Sequence, residues 1–354
     1  MDAILLVIAF FVILAGAELF TNGIEWFGRK LELAEGAVGS VLAAVGTALP
    51  ETMIPIIAIA FGGGGESTDE VGIGAVLGAP FMLSTLAMFV TGAGVIAYRS
   101  RRPTGTTMTV DTGVLVHDIK YFVVAYALAI AAAFLPEGFT WLKWVVAVAL
   151  IAIYVVYVKG HFDAEHEAGE DDLAPLRFHR FDRPGVLADP VVPRLRIVTV
   201  QVVAALACIV GGAYLFVGAV NALAAALGVS ELLLALVVAP IATELPEKFN
   251  SLIWVRQGKD TLAMGNITGA MVFQSAIPTV VALVLAADAW HVSGDSALAF
   301  ASAFIALVAV AAVFGPMARR HTLDGKGLLV GGALYAVYLA LVGANLLGIV
   351  QIGG

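Results

Sequence analysis

The sequence predicts an all-α membrane protein of ten transmembrane helices, arranged as two inverted five-helix repeats with broken second and seventh helices. Three observations lead there. Of 354 residues, 60% are hydrophobic and 13% charged, with a mean hydropathy of +0.97, a composition suited to lipid rather than water. The length accommodates roughly ten apolar spans of 20 or more residues with short loops between them. Inside two of those spans the same stretch recurs 196 residues apart, as Gly46-Thr47-Ala48-Leu49-Pro50-Glu51 and Ala242-Thr243-Glu244-Leu245-Pro246-Glu247.

Taken in order, the apolar runs place helices at 2–27, 36–61, 71–98, 116–134 and 138–158. Five more follow at 196–226, 231–255, 261–287, 296–316 and 327–349. The first run is too long for a signal peptide and has no small-residue cleavage site after it, so it is kept as a span. Basic residues set the orientation. With both termini outside, every Lys and Arg except Lys143 and Lys248 falls in an inner loop, and the outer loop Glu66–Glu70 carries none. The expected location is the plasma membrane, crossed many times. The net charge of −8 resides largely in loops and does not suggest nucleic acid as a partner; the lipid bilayer is the expected surroundings.

Self-similarity organises the chain further. Gly16-Ala17-Glu18-Leu19-Phe20 matches Gly212-Ala213-Tyr214-Leu215-Phe216 at the same offset of 196, and Glu35 matches Glu231. One helix later, the stretch Gly74–Ala79 matches Gly265–Ala270 at an offset of 191. Each half thus holds five spans, and an odd number forces the halves upside down relative to one another. The expected division is a first repeat at 1–158, a cytoplasmic hydrophilic linker at 159–195 and a second repeat at 196–354. Inverted repeats with broken helices and a midplane site are the mark of a secondary transporter.

The two Pro-Glu stretches carry the chemistry. A glutamate at lipid depth is costly and signals function by default. The preceding proline lacks an N–H and clashes with the carbonyl four residues back, so Gly46–Thr47 and Ala242–Thr243 are left with freed carbonyls. Two carboxylates with two sets of unwound carbonyls make an all-oxygen cage, the ligand set of hard cations. A proline kink whose glutamate pairs with a neighbouring helix explains one copy as readily; two copies in matching places favour the cage. The glycine pairs Gly74/Gly78 and Gly265/Gly269 are small faces for close helix approach, toward the second and seventh helices. They bring Leu83 and Gln274 toward the centre.

Other polar residues carry less. Glu18 and Glu25, seven apart on one side of the first helix, fit a permeation path and a surface pairing equally well. His117 and Asp118 read as an interfacial cap of the fourth helix. The acidic and histidine-containing segment 160–193 reads as a solvated linker in preference to a metal site, because it has no metal-ligand spacing. Cys208, the single cysteine, excludes a disulfide framework and reads as a buried thiol. His291 and His321 fall in loops.

At its two motifs the sequence resembles the calcium/cation antiporter superfamily, the sodium/calcium exchangers and their relatives. Those repeats carry G-T-S-L-P-E, followed one helix later by G-N-x-x-G-S-N-x-x-N or -D. Here the second motif survives best as Gly265-Asn266-Ile267-Thr268-Gly269. The resemblance covers both halves. It implies a ten-helix fold, alternating access with the first and sixth helices sliding, and a central site. In that site Glu51 and Glu247 are the chief cation ligands, helped by Thr47 and Thr243. The departures are specific: Ala48 and Glu244 replace serines, Ala79 and Ala270 replace a small hydroxyl, and Leu83 and Gln274 replace an amide or carboxylate. Gly46 and Ala242 offer carbonyls only, and Gln274 a neutral oxygen.

Lys248 follows Glu247 directly and lies four residues beyond Glu244. The i,i+4 spacing favours a Glu244–Lys248 pair, which leaves the site at −2, matched to one divalent cation. A Lys248 turned instead toward Glu247 occupies the cation's place. The expected function is an antiporter exchanging Ca²⁺ for Na⁺, or for H⁺, because two close carboxylates readily hold a proton. These cations are cargo, and no cofactor is expected. Mg²⁺ or Mn²⁺ as cargo, or a relative that binds without transporting, are the alternatives. An intramembrane enzyme fits poorly: the chain has no H-E-x-x-H and no G-x-S-x-G.

Overall fold

The computed structural model describes residues 2–31, 38–48, 52, 55–56, 59, 66–136, 138–163, 173–181, 193–227, 248, 251–292, 296–320, 322–346 and 349–350. Helix α1 spans Asp2–Lys30. A π-helical turn, Val38–Ala43, runs into the short α2, Ala44–Thr47. Helix α3, Glu66–Met82, continues through a second π turn, Leu83–Ala87, into α4, Met88–Tyr98. Helices α5 (Thr112–Ala132), α6 (Thr140–Asp163), α7 (Leu195–Leu227), α8 (Asp260–Leu285) and α9 (Ala297–Arg320) follow, then α10 (Gly325–Leu328) and α11 (Val330–Leu346). Eight helices among the described residues are long and apolar enough to cross a membrane. They coincide with eight of the ten sequence-predicted spans. Much of the other two, at 36–61 and 231–255, lies outside the described residues.

Local chemistry explains the boundaries. Helix α5 begins at Thr112 because Asp111 caps it, its Oδ1 accepting from the N–H groups of Gly113 at 2.8 Å and Val114 at 3.1 Å. This corrects the reading of Asp118 as the helix cap. Asp118 lies well inside α5 and is fully buried. In α3, Pro80 lacks the N–H that would continue the ladder, and the π turn follows within one turn. There the Thr85 and Ser84 hydroxyls both donate to the Phe81 carbonyl, at 2.5 and 3.0 Å.

Helix α8 is the hub. Nearly every residue from Asp260 to Thr279 is buried, and it packs on α5, α6, α3 and the first π turn. Helices α1 and α7 form a separate close pair. A Cβ built on Gly16 would lie 3.0 Å from Ile209 and 3.1 Å from the Ala205 carbonyl; one on Gly212 would lie 2.7 Å from Ile13 and 3.3 Å from the Ala9 carbonyl. The contacts are reciprocal at the offset of 196, and all four partner residues are fully buried. Cys208 packs beside Gly16 and is half-buried, where the sequence suggests a buried thiol.

Segments that the charge bias places on one side do lie at one end. Thr107–Met108 pairs antiparallel with Leu323–Asp324. Arg102 donates to both oxygens of Asp260, at 2.8 and 2.6 Å, and to the Val255 carbonyl at 2.6 Å. At the other end Lys143 Nζ donates to the carbonyls of Ala287 and Trp290, at 2.7 and 2.8 Å. Both members of the Arg102–Asp260 pair are almost wholly buried, at 2% and 1% side-chain exposure. Breaking such a pair strands a charge and costs about 3–5 kcal/mol, whereas replacing both members with apolar residues costs much less. Accordingly, Asp260→Leu should lower the thermal unfolding midpoint in detergent sharply, and adding Arg102→Met should recover part of the loss.

Candidate cation site

The first motif starts at the end of α2. Ala44 and Ala48 are fully buried, and the Ala48 N–H donates to the Ala44 carbonyl at 3.0 Å. The Ala48 carbonyl then collects three donors. Thr52 gives its N–H at 3.1 Å and its hydroxyl at 2.7 Å, and Gln274 gives its Nε2 amide at 3.1 Å. The Thr52 hydroxyl also lies 3.4 Å from Gln274 Oε1. Two sequence-predicted site residues, Ala48 and Gln274, are therefore in direct contact across 226 positions, with Gln274 only 1% exposed.

This contact depends on how closely α8 approaches the π turn. A Cβ on Gly269 would fall 2.0 Å from the Ser40 carbonyl oxygen, so only glycine permits this backbone approach. The small face expected at Gly265/Gly269 is thus used at Gly269, five residues before Gln274. Thr52 was not anticipated as part of this cluster. Its signal was a hydroxyl directly after Glu51 in an apolar run.

The remaining predicted site residues divide. Gly46 and Thr47 belong to the backbone of α2. Lys248 is buried, at 6% exposure. Glu51, Ala242, Thr243, Glu244 and Glu247 lie outside the described residues. At the positions where the resemblance expects polar ligands, Ala79, Leu83 and Ala270 are buried apolar groups.

A cavity of about 520 Å³ opens beside α1, lined by Glu18, Asn22, Glu25, Trp254, Gln257 and Lys259 among others. Glu25 accepts from Trp254 Nε1 at 3.0 Å, and Glu18 meets Arg177 at 2.8 Å in an exposed pair. Both carboxylates line this cavity and both have partners, which accords with the pairing reading of the sequence.

The linker is only partly solvated. Trp26 Nε1 donates to the Ala174 carbonyl at 2.9 Å, and Asn22 Oδ1 accepts from the Arg177 N–H at 2.9 Å. Gln201 Oε1 accepts from the Phe178 N–H at 2.8 Å. Leu176 is buried with Trp26 and Val198. Residues 173–181 thus clasp α1 and α7 together. Composition hides this, because two or three apolar anchors suffice in a charged segment.

Comparison with known proteins matches the chain to a family of ion exchangers. Residues 1–160 and 197–346 match the family model described as sodium/calcium exchanger protein. "Putative antiporter CaxA" of Alkalimonas amylolytica is 25% identical over 335 residues, 92% of this chain and 95% of that one. The fold resembles that of an H⁺/Ca²⁺ exchanger, CAX, with a TM-score of 0.72 at 16% identity, covering 96% of this chain and 81% of that one. It also resembles the sodium-calcium exchanger NCX_Mj, with a TM-score of 0.65 at 17% identity, over 96% and 97% of the two chains.

The Gly269–Ser40 approach yields a direct test. Gly269→Ala should lower the thermal midpoint of the detergent-solubilised protein, because a rigid backbone must move. Gly211→Ala, where an added Cβ meets nothing within 4 Å, should leave it unchanged or raise it slightly by restricting the unfolded chain.

Proposed function

The chain belongs to the sodium/calcium exchanger family, and on that premise we propose that it exchanges Ca²⁺ for Na⁺ by alternating access at one site built on Glu51 and Glu247. The family is one of exchangers, not of enzymes, and the chain is a multi-pass membrane protein with inorganic cations as substrates. The finer reading is ours: ten spans, two inverted repeats at 1–158 and 196–354, and a cytoplasmic linker at 159–195 of a plasma-membrane protein with both termini outside. The reciprocal Gly16 and Gly212 contacts support the repeat, since a two-fold relation between α1 and α7 generates such pairs.

One observation carries the site. Gln274, from the second half, reaches the Ala48 carbonyl of the first motif, so the helix after one motif and the backbone of the other meet. In this reading the carboxylates of Glu51 and Glu247 bind one divalent ion, and the carbonyls of Gly46 and Ala242 with the hydroxyls of Thr47 and Thr243 complete the oxygen shell. The Ala48 carbonyl, expected as a further ligand, is instead taken up by Thr52 and Gln274. Gln274 braces the Ala48 carbonyl and supplies a neutral oxygen. Lys248 pairs with Glu244 and leaves the site at −2.

Exchange follows from that charge. Two adjacent carboxylates in a medium of low dielectric repel unless an ion or proton separates them, which discourages the empty carrier from crossing. Ca²⁺ and its counter-ion compete for the same oxygens, so one species leaves as the other enters. H⁺ is the second counter-ion that this chemistry permits.

Glu51→Gln and Glu247→Gln remove one charge each with little change in shape. Each should reduce Ca²⁺ uptake into proteoliposomes by about two orders of magnitude or more, the scale of leaving a buried charge without its partner. Retention of parental uptake in both variants would remove the pair from the mechanism.

A further inference from the structure

A second cluster of ionisable groups, apart from the cation site, converges on Asp118. Four polar side chains from three elements surround this fully buried carboxylate. Of these, the Tyr157 hydroxyl is shared with the Ser40 carbonyl at 3.0 Å and the Thr268 hydroxyl with the Met264 carbonyl at 3.0 Å. Oδ2 accepts from the hydroxyls of Ser40 at 2.9 Å and Thr268 at 2.5 Å. Oδ1 faces the Tyr157 hydroxyl at 3.1 Å and His161 Nε2 at 2.8 Å. Ser40 belongs to the π turn that leads into the first motif, and Thr268 sits six residues before Gln274 on α8. The carboxylate therefore holds together the two elements that meet at the Ala48 carbonyl.

Histidine is the side-chain type that ordinarily changes charge near neutral pH, and one nitrogen of the His161 ring meets the buried carboxylate. An ionised carboxylate only accepts, so His161 Nε2 carries a hydrogen toward Asp118 and Nδ1 is the position that gains or loses a proton. His161 is buried two residues from the end of α6. The ring of His117 stands edge-on to it with centroids 4.9 Å apart, and His117 Nε2 is buried without a hydrogen-bond partner. Two imidazoliums at that distance repel, so a proton on one ring disfavours a second on the other. The other titratable groups facing the cluster are Lys120 and Tyr121 on α5 and Tyr154 and Tyr157 on α6. From the π turn and α8, the groups that touch Asp118 are the neutral hydroxyls of Ser40 and Thr268.

We propose that Asp118, His161 and His117 form a proton-binding site separate from the cation site, whose charge sets the position of the first motif through Ser40 and Thr268. With the proton on, His161 offsets the carboxylate. With it off, the negative charge is left to the hydroxyl donors, and the balance of pull between α6 and the Ser40–Thr268 side changes. Asp118 and His161 act here as positioning residues. The effect on flux rests on the antiport reading given above; the proton site does not.

Hydrogen–deuterium exchange of backbone amides 38–48, in detergent, tests this without transport. After correction for intrinsic chemical rates, protection in the parent should differ between pH 6 and pH 8. His161→Gln keeps a side-chain N–H but no titratable group and should abolish that difference, while His117→Gln should retain it. Asp118→Asn should also abolish it; should that variant fail to fold, His161→Gln carries the test alone. An unchanged pH difference in His161→Gln, or none in the parent, would overturn the proposal. In proteoliposomes, His161→Gln should flatten the neutral limb of the flux–pH profile. Absence of Ca²⁺ flux from the parent counts against the antiport reading alone, because the amide-exchange comparison still gives one of its two answers.

Discussion

A charge buried among packed helices has no water to turn to, and the buried Arg102, Asp260, Lys143 and Asp118 each meet partners from distant segments. The hydrocarbon phase tolerates a polar group only when protein supplies its partner. Arg102 and Asp260 meet each other and take further partners from backbone groups near them. Lys143 inserts its ammonium between two carbonyls at the opposite end. Asp118 gathers four polar side chains from three elements. Each of these contacts joins segments far apart in sequence, so satisfying a charge and fixing the helix arrangement are one event. The proposed site at Glu51 and Glu247 follows the same rule, with a transported cation as the partner.

The helices divide by the way they pack. Helix α8 is covered on all sides and fixes the centre. Helices α1 and α7 instead pack chiefly on each other, through glycines and fully buried small or branched residues, and keep large apolar side chains such as Phe11 and Val203 exposed to lipid. The segment 173–181 bonds to both α1 and α7 and so is fixed to the pair.

Much of this was legible in the sequence. The eight described spans stand where apolar runs placed them, since length and composition decide membrane crossing. Gln274 was reachable because the internal repeat put it one helix after the second motif. Asp118 was misread because an acidic residue near the start of an apolar run resembles a cap. The helix in fact starts earlier, at Thr112, through a cap by the Asp111 side chain that a run of hydropathy does not register. Its partners at Ser40, Tyr157, His161 and Thr268 lie 39 to 150 positions away, and no local spacing connects them. The docking of the linker on Trp26 was hidden for the same reason.

The central claim is that Ca²⁺ and its counter-ion take turns at one pair of carboxylates. Its most direct test is radioactive Ca²⁺ movement in proteoliposomes with no initial Ca²⁺ gradient, under an imposed Na⁺ gradient and, separately, an imposed pH gradient. The account predicts transient Ca²⁺ accumulation against its own gradient when Na⁺ runs the other way, reversing when the Na⁺ gradient is reversed. Accumulation under the pH gradient alone would make H⁺ the counter-ion and keep the shared site. Ca²⁺ movement that ignores both gradients, or none in either direction, would contradict exchange.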